Sequence, residues 1–400
     1  MSQTLDPTFY RSPAEAMAAP PEQLAYVAAY DPAGRAKDAM AVLDCDPASP
    51  SYGRVVGWAE LPTAGNELHH FGWNACSSAL CHQGHGDHGQ PLERRYLIVP
   101  GIRSSRIYVL DTKPDPRNPK VVREITAEEL ARKAGYSRPH TVHCGPGGIF
   151  LFNLGGANGN DGPGGIALLD HHSFDVIGPW ELDRGDQYFA YDGWWHLNHD
   201  TMITSEWGTP PMFEHGLNPE DLLGRRFGHH LNFWSMSERK LIQRIDLGDA
   251  HQLVFEVRPA HDPAKTWGYT GVVISVEDLS ASVWLWHRDG DRWAATKAIT
   301  IPAEPADPDL LPRPSSRSGR CRRWSLTSTC RWMTAGCMCP AGAPGSSSST
   351  TSPIRSTPGR PGRCAWAASP AASPTPPRPT CRSAAARRWS RSAGTAAGSM

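Results

Sequence analysis

Residues 139–153 read PHTVHCGPGGIFLFN, two strand-like runs separated by a turn of glycine and proline at residues 145–148. Glycine and proline permit tight turns, so this stretch predicts an antiparallel hairpin. Similar runs of β-branched and aromatic residues recur from Leu24 to Trp293, with turn residues at intervals of about eight to twelve positions. The pattern predicts an all-β protein.

Few segments favour a helix. Ala127–Ala134 follows Thr126, a residue type that caps helix N-termini. Ser12–Ala18 and Pro219–Arg225 are weaker helical segments. Residues 1–24 are rich in proline and alanine, and we expect them to form a lead-in that packs over the β-rich body of residues 25–310.

Four histidines recur with a long period along the body. His70, His140, His199 and His261 are separated by 70, 59 and 62 residues. A propeller blade has four strands and roughly 40–60 residues, and its first strand lines the central channel. These histidines would therefore converge on the axis, unless each merely caps a local turn by hydrogen bonding.

A second chemical signal is the stretch Asn66–Ser78, NELHHFGWNACSS, which holds two adjacent histidines and a thiol. Imidazole and thiolate bind soft or borderline metals, and thiolate is also a strong nucleophile. Alternation along a strand predicts that at most one of His69 and His70 faces a given site. The alternative is a structural role, in which Cys76 is a small buried apolar residue.

This stretch resembles the selenium-binding protein family, which has ELHH, GWN and CSS at Glu67–His70, Gly72–Asn74 and Cys76–Ser78. Further matches follow in family order: SSRIYVLD at Ser104–Asp111, HTVHC at His140–Cys144, YDGWWHLNHDTMITSEW at Tyr191–Trp207 and GLNPEDL at Gly216–Leu222. The resemblance extends from about Phe9 to about Pro302. It implies a seven-bladed β-propeller.

The family includes copper-dependent methanethiol oxidases. The resemblance therefore implies oxidation of methanethiol with oxygen and water to formaldehyde, hydrogen sulfide and hydrogen peroxide, with a small thiol and oxygen as partners. It implies copper bound by His69 or His70 together with His140 and His143, while His199 and His261 are second-tier ligands. Glu67 or Glu206 would hold the second ring nitrogen of a ligand.

Cys76 corresponds to the family's selenium- or thiol-reactive cysteine and would hold the substrate sulfur as a thiolate. Cys144 directly follows His143 and would point away from the axis if His143 faces it. One alternative function is a non-catalytic propeller that carries selenium or a thiol adduct on Cys76. Another is a lactonase-like enzyme with a hard divalent ion, which the imidazole-rich candidates disfavour.

Two glycine-rich loops are candidate binding sites. Cys81–Gly89, CHQGHGDHG, has the residue types of a metal loop, but its hairpin setting favours a solvated loop over zinc or nickel binding. Gly156–Gly165, GANGNDGPGG, has no following helix that could offer amide donors to phosphate, and it is interpreted as a loop between strands.

Charge and cysteine use differ between the body and the tail. All forty acidic residues precede Leu311 and fourteen of forty basic residues follow it, so residues 1–310 carry 26 − 40 = −14. An acidic body argues against nucleic-acid and membrane partners. Six of ten cysteines lie in the tail. Because no export signal or membrane span is evident, we expect a cytoplasmic protein with reduced cysteines at Cys45, Cys76, Cys81 and Cys144.

Residues 311–400 lack acidic residues, lysine and histidine and consist mostly of Arg, Ser, Pro, Ala and Gly, which predicts disorder. A natural basic tail is one interpretation, and a frameshift in the gene is the one we favour. Permitted codons for Leu326–Gly345, read one base earlier, encode a peptide resembling the family's next blade. Cys337–Cys339 would then be no metal motif, and we expect an incomplete propeller, so a further alternative function is an inactive, truncated family member. Resequencing the gene would test the frameshift.

Overall fold

The computed structural model describes residues 6–10, 13–76, 92–196, 199–260, 262 and 264–304. These residues belong to the first of the two units into which the chain divides, Met1–Pro340. The Cys81–Gly89 loop, His261 and the tail from residue 311 lie outside the described residues, so the predictions made for them remain predictions.

The described chain forms five antiparallel sheets, in each of which consecutive strands pair with one another. The first comprises β1 (Leu24–Ala29), β2 (Lys37–Asp44) and β3 (Val55–Ala64), and the second β4 (Gly72–Trp73), β5 (Tyr96–Gly101), β6 (Arg106–Asp111) and β7 (Lys120–Ile125). The third comprises β8 (Tyr136–Gly145), β9 (Gly148–Gly156), β10 (Gly165–Leu169) and β11 (Val176–Pro179). The fourth comprises β12 (Gly193–His196), β13 (Thr201–Ser205), β14 (His230–Ser235) and β15 (Lys240–Asp246), and the fifth β16 (His251–Pro259), β17 (Trp267–Ser275), β18 (Ala281–Asp289) and β19 (Arg292–Ile301).

The predicted all-β class is confirmed by this series of sheets. The opening hairpin is present, because β8 pairs with β9 out to Gly145 and Gly148. Gly147 takes a φ of 82° in the turn, a value that glycine adopts without steric cost. Four of the sheets have four strands, as propeller blades do. Five sheets lie within the described ranges, whereas the family resemblance implies seven blades.

Four short helices accompany the strands in the described part of the chain: α1 (Pro13–Ala18), α2 (Ala127–Ala134), α3 (Pro210–Phe213) and α4 (Pro219–Leu223). α2 has the predicted bounds because the Thr126 side chain accepts a hydrogen bond from the Glu129 amide at 3.2 Å. α4 ends two residues before the predicted Arg225, and α3 was not predicted. None of the helices in the described ranges has the length and apolar character needed to cross a bilayer.

The core lies between neighbouring sheets. One buried cluster joins the second and third sheets and α2, through residues such as Ile98, Ile149 and Leu130. Another joins the fourth and fifth sheets around Phe233 and Trp286. Every residue of β9 and β10 is buried, which is typical of strands covered on both faces. Each large apolar side chain buried there contributes about 1.5–3 kcal/mol.

The first strands of successive sheets lie side by side. A Cβ at Gly72 in β4 would lie 2.7 Å from the Val142 carbonyl oxygen in β8, so no larger residue fits there. The Val142 amide donates to the His70 carbonyl at 3.1 Å, and the Val254 amide in β16 donates to the Glu206 carbonyl at 3.0 Å. This arrangement brings the segments before and within the first strands together, and the histidine-rich motifs lie in those segments.

Candidate metal centre

Three histidine rings converge where the segment before β4 meets β8. His69, His70 and His140 each offer a ligand nitrogen, and these three atoms lie within 4.8 Å of one another. The His140 ring centroid is 4.8 Å from that of His69 and 4.6 Å from that of His70. His140 is buried, with 3% of its surface exposed, and the other two are half-buried. The cluster therefore has the donor set of a metal centre.

Both adjacent histidines face this site, although strand alternation predicted at most one. The reason is local backbone geometry. Glu67 has a φ of 55°, and the residues after it make an isolated bridge between Leu68 and Gly101 instead of a regular strand. His140 lies where the β8–β9 register shifts, between Pro139 and Thr141. Irregularities of this kind redirect side chains near functional sites.

Burial keeps two of these imidazoles neutral. Desolvation holds the pKa of His140 well below its usual value, and the neighbouring His70 and His69 lower it further. Desolvation, followed by the influence of His69, lowers the pKa of His70 to about 4. Neutral imidazole is the form that binds metal, so protons do not compete for the nitrogens of His70 and His140 at neutral pH.

The ring nitrogens are unevenly satisfied. Among the described residues, Nδ1 of His69 is buried without a hydrogen-bond partner. An unpaired buried polar atom costs about 1–3 kcal/mol, and a bound metal ion or water would remove that cost. Nδ1 of His140 lies 2.7 Å from the Thr141 hydroxyl oxygen, which leaves Nε2 as its candidate ligand atom.

Two carboxylates flank the cluster. Glu67 Oε1 lies 3.7 Å from His69 Nε2, and this neighbouring imidazole is the main cause of the lowered pKa of Glu67. Glu256 Oε1 lies 3.9 Å from His70 Nδ1, and burial raises the pKa of Glu256. Glu206, the other predicted orienting carboxylate, lies instead beside His230, at 3.1 Å. The sequence signal for Glu256 was a lone carboxylate within the apolar run LVFEV.

The remaining predicted ligands lie apart from the cluster. His143 Nε2 is 2.9 Å from Asp192 Oδ1, and the fully buried Asp192 also accepts from the Val257 amide at 3.1 Å and the Arg258 guanidinium at 2.8 Å. Burial alone would raise the pKa of Asp192, but these partners lower it to about 2. His199 is exposed between β12 and β13, with its ring 4.7 Å from that of His196. The structure thus brings together three of the five predicted histidines that it describes.

The arrangement of sheets agrees with comparisons to known proteins. The family model described as 56kDa selenium binding protein (SBP56) matches residues 3–317. The chain belongs to this family. The match covers every described residue and ends within the segment whose composition changes after residue 310.

Relatives in the selenium-binding protein family carry two kinds of name. A methanethiol oxidase of Xenopus laevis is 40% identical over 299 residues, covering 74% of this chain and 61% of the relative. Selenium-binding protein 2 of Arabidopsis thaliana is 38% identical over 306 residues, covering 76% of this chain and 60% of the relative. This chain therefore spans about three fifths of the length of these curated relatives.

A solved structure of the family has the same fold. The X-ray structure of a hypothetical selenium-binding protein from Sulfolobus tokodaii matches with a TM-score of 0.71 and 51% identity. The match covers 75% of this chain and 65% of that chain.

An aromatic wall that the sequence motifs did not predict borders the cluster in this family member. The Tyr191 ring centroid lies 4.4 Å from that of His140, and Tyr191 stacks on Trp207 at 4.9 Å. Phe255 lies 5.3 Å from both of these rings. These apolar faces exclude water from one side of the histidines. Tyr191 and Trp207 are the first and last residues of the family match at residues 191–207, which was the available signal.

Cys76 is not the reduced, reactive thiolate that the sequence analysis predicted. It forms a disulfide with Cys144, with 6.1 Å between the Cα atoms. Because β4 packs against β8, two cysteines 68 residues apart become neighbours at a separation that allows a disulfide. The sequence analysis predicted reduced cysteines from their small number and from the lack of an evident export signal. Neither observation contains information on which cysteines become neighbours in the fold. In the disulfide, the Cys76 sulfur is not a nucleophile.

Proposed function

We propose that His69, His70 and His140 bind copper and that this site oxidises a small thiol of the methanethiol class with oxygen. The observation that carries the proposal is the convergence of three imidazoles, two of them kept neutral by burial, at one partly desolvated site. Relatives named methanethiol oxidase support the choice of reaction. The balanced reaction converts methanethiol, oxygen and water into formaldehyde, hydrogen sulfide and hydrogen peroxide.

The residues present fit copper. Imidazole is a preferred copper ligand, the three ligand atoms lie within 4.8 Å of one another, and Nδ1 of His69 is buried without a partner in the described part of the chain. When bound, copper would supply one-electron redox chemistry between the thiol and oxygen. His140 comes from β8 and the pair from the segment before β4, so the packing of two sheets sets the geometry of the site.

The carboxylates would orient ligands and move a proton. Glu67 is held by Arg103, whose Nε donates to Oε2 at 2.9 Å, and it fixes the ring of His69 through Nε2. Glu256 is held at Oε2 by Arg258 at 2.9 Å, while Oε1 lies near His70. Because burial raises the pKa of Glu256, its Oε1 is a suitable acceptor for the proton of the thiol. The wall of Tyr191, Trp207 and Phe255 would contact the methyl group and exclude water.

The direct test measures bound copper and methanethiol-dependent hydrogen peroxide for the parent chain and for His140→Gln. We expect His140→Gln to lose both copper and activity, while the matched control His199→Gln, outside the cluster, retains both. Equal copper content in the parent and His140→Gln would contradict the assigned ligands. A copper-loaded parent that releases no peroxide from methanethiol would contradict the reaction.

Glu256→Gln tests the proton acceptor separately. We expect copper content to remain unchanged while turnover falls by at least tenfold, because a positioned base contributes about 10²–10⁴ in rate. An unchanged rate with Glu256→Gln would remove Glu256 from the chemistry without affecting the copper assignment.

The second candidate function is a carrier that holds selenium or a thiol adduct on Cys76. It is favoured by the adjacency of Cys76 and Cys144, which on reduction become two neighbouring thiols. Selenium bound by the reduced, metal-free chain would support it if Cys76→Ser abolished binding and His140→Gln did not. Selenium binding that survives in Cys76→Ser would exclude this cysteine as the carrier.

A further inference from the structure

A second pair of adjacent histidines lies in the fourth sheet, outside the cluster described above. The candidate ligand atoms of His229, His230 and Asp246 lie within 4.8 Å of one another. The two ring centroids are 4.2 Å apart, with 35° between the ring planes. His229 Nε2 lies 3.7 Å from Asp246 Oδ1. Two imidazoles and a carboxylate therefore meet at one point on the molecule.

The backbone holds these residues in register. His230 is the first residue of β14 and lies directly opposite Asp246, the last residue of β15. Directly opposed residues on antiparallel strands point to the same face, with Cβ atoms about 4.5–5.5 Å apart. His229 precedes β14, so strand alternation does not direct it to the other face. Its carbonyl accepts a hydrogen bond from the Leu247 amide at 2.9 Å, which fixes its position beside the end of β15.

Hydrogen bonds set the ring tautomer of His229. Nδ1 lies 3.1 Å from the Phe227 carbonyl oxygen, and a carbonyl oxygen can only accept, so Nδ1 carries the proton. Nε2 is then the unprotonated nitrogen, and it is the atom near Asp246.

His230 has a comparable arrangement with a carboxylate. Its Nδ1 lies 3.1 Å from Oε2 of Glu206, which is fully buried. In the tautomer that carries its proton on Nδ1 and donates it to Glu206, Nε2 is left for a metal, the arrangement that orients many metal-binding histidines. Glu206, which was predicted to serve the first cluster, thus has a matching role here.

The local charges favour a cation. Arg244 donates to Glu206 Oε1 at 2.9 Å and also lies 3.1 Å from His230 Nδ1. Its positive charge is offset by Glu206, and Asp246 adds one negative charge. The Asp246 side chain is 62% exposed, so an ion would reach the three ligands from solvent. A water molecule could supply a fourth ligand.

We propose that His229, His230 and Asp246 form a second metal site, which binds a divalent transition ion of the zinc type. Two histidines and one carboxylate are a common zinc ligand set, with ligand atoms about 2.0–2.2 Å from the ion. The ligand atoms are close enough that small side-chain rotations would bring them to this distance. The site shares no residue with the His69–His70–His140 cluster, so it stands whether or not that cluster binds copper.

The test is zinc titration of the full-length, metal-stripped chain by calorimetry, with cobalt absorption as a spectroscopic check. His229→Asn keeps an amide donor near the position of Nδ1 and removes the Nε2 ligand, while Asp246→Asn removes the negative charge but keeps an oxygen that can accept the hydrogen bond from the Gly248 amide, which is 2.7 Å long in this structure. His287→Asn is the matched control, because His287 Nδ1 also lies near a carbonyl, that of Arg288 at 3.2 Å, and His287 belongs to neither cluster among the described residues.

We expect the parent and His287→Asn to bind one more equivalent of zinc than His229→Asn and Asp246→Asn, or to bind it at least tenfold more tightly. In separate copper-loaded samples, copper content at the first cluster should be the same in all four proteins. Identical zinc affinity and stoichiometry in all four would overturn the proposal. Loss of zinc in His287→Asn as well would also overturn it, because the effect would then not depend on the three ligands.

Discussion

Two of the three adjacent histidine pairs in this chain, His69–His70 and His229–His230, belong to candidate metal clusters; they share a local rule and differ in their third ligand. In both pairs, the first histidine lies outside regular strand pairing, so both rings reach the same site. His69 and His70 meet His140 from another sheet, whereas His229 and His230 meet Asp246 from the next strand of the same sheet. Since His171–His172 belongs to no such cluster among the described residues, an adjacent pair alone does not mark a site; the tertiary fold must supply the third ligand.

The two sites also differ in how deeply their ligands are buried. His140 is 3% exposed, whereas the Asp246 side chain is 62% exposed. A buried site with three imidazoles suits a redox metal shielded from water, and an open site with a carboxylate suits an exchangeable divalent ion. The first site also depends on how two sheets pack, while the second depends on one strand pair. Substitutions at and around each site test that contrast.

The largest effect is expected from Asp192→Asn, which leaves Arg258 and His143 without their buried carboxylate. Arg258 is half exposed and keeps its pair with Glu256, so the cost comes from the buried Val257 amide and the His143 ring, about 1–3 kcal/mol for each group left without its partner. We expect the free energy of unfolding, measured by denaturant titration, to fall by that amount and copper affinity to fall with it. Asp246→Asn serves as the exposed control and should leave stability within about 0.5 kcal/mol of the parent. Equal stability of the two variants would break the contrast between the sites.

The second-largest effect is expected from loss of His140, the third ligand of the first cluster. His140→Gln removes one of three imidazoles, and we expect copper affinity to fall by more than about a hundredfold, since even outer-shell residues of metal sites are worth about 10–100-fold. Competition with a chelator of known copper affinity measures it. Zinc binding at His229, His230 and Asp246 should not change. A parallel loss of zinc would mean that the two sites are coupled.

Mild acid should lower the free energy of unfolding of the metal-free protein, because His70 and His140 are buried as neutral rings. The folded pKa of His70 is lowered to about 4 and that of His140 is lowered as well, whereas an unfolded imidazole titrates near about 6.5. The unfolded state therefore binds more protons below this value, and stability present above about pH 6.5 is lost as the pH falls towards 4.

A tenfold difference in proton affinity between the folded and unfolded states corresponds to about 1.4 kcal/mol, so His70 alone predicts a loss of about 2–3 kcal/mol across that range. Denaturant unfolding at a series of pH values measures the slope. The slope should be shallower in His70→Gln than in the parent. An identical slope in parent and His70→Gln would show that this histidine is not buried in its neutral form.

The smallest effect is expected from Glu67→Gln, which keeps the shape of the residue that contacts His69 but removes its charge. We expect copper affinity to fall by about tenfold, the lower end for a carboxylate that orients a metal-bound histidine. Chelator competition again measures the change, and Glu60→Gln, an exposed residue of β3, is the control. An unchanged affinity would mean that the packing of the segment, not Glu67, orients His69.

Local pattern was sufficient to predict much of the fold. The hairpin at residues 139–153, the all-β class and α2 with its Thr126 cap all follow from turn chemistry, alternation and capping. The convergence of His70 and His140 follows from the propeller interpretation, since both lie at the leading strands of successive sheets.

The remaining features depend on contacts that no local pattern records. The left-handed Glu67 places both His69 and His70 in the site, and sheet packing brings Cys76 to Cys144. Glu256 reaches the cluster from the fifth sheet, at a break in the β16–β17 register between Val254 and Val257. The spacing between histidines made His199 an axial candidate, and His199 does lie at a connection between two strands. The spacing carries no information on the direction of its side chain.

The Cys76–Cys144 disulfide has a consequence for limited proteolysis. His69 and His70 precede Cys76, and His140 lies between the two cysteines. A protease cut between Cys76 and His140 would therefore place the histidine pair on one fragment and His140 on the other, yet the two fragments would stay covalently joined. On a denaturing gel, the nicked chain would migrate as one species without reductant and as two with it. Cleavage alone would leave all three imidazoles on a single covalent molecule.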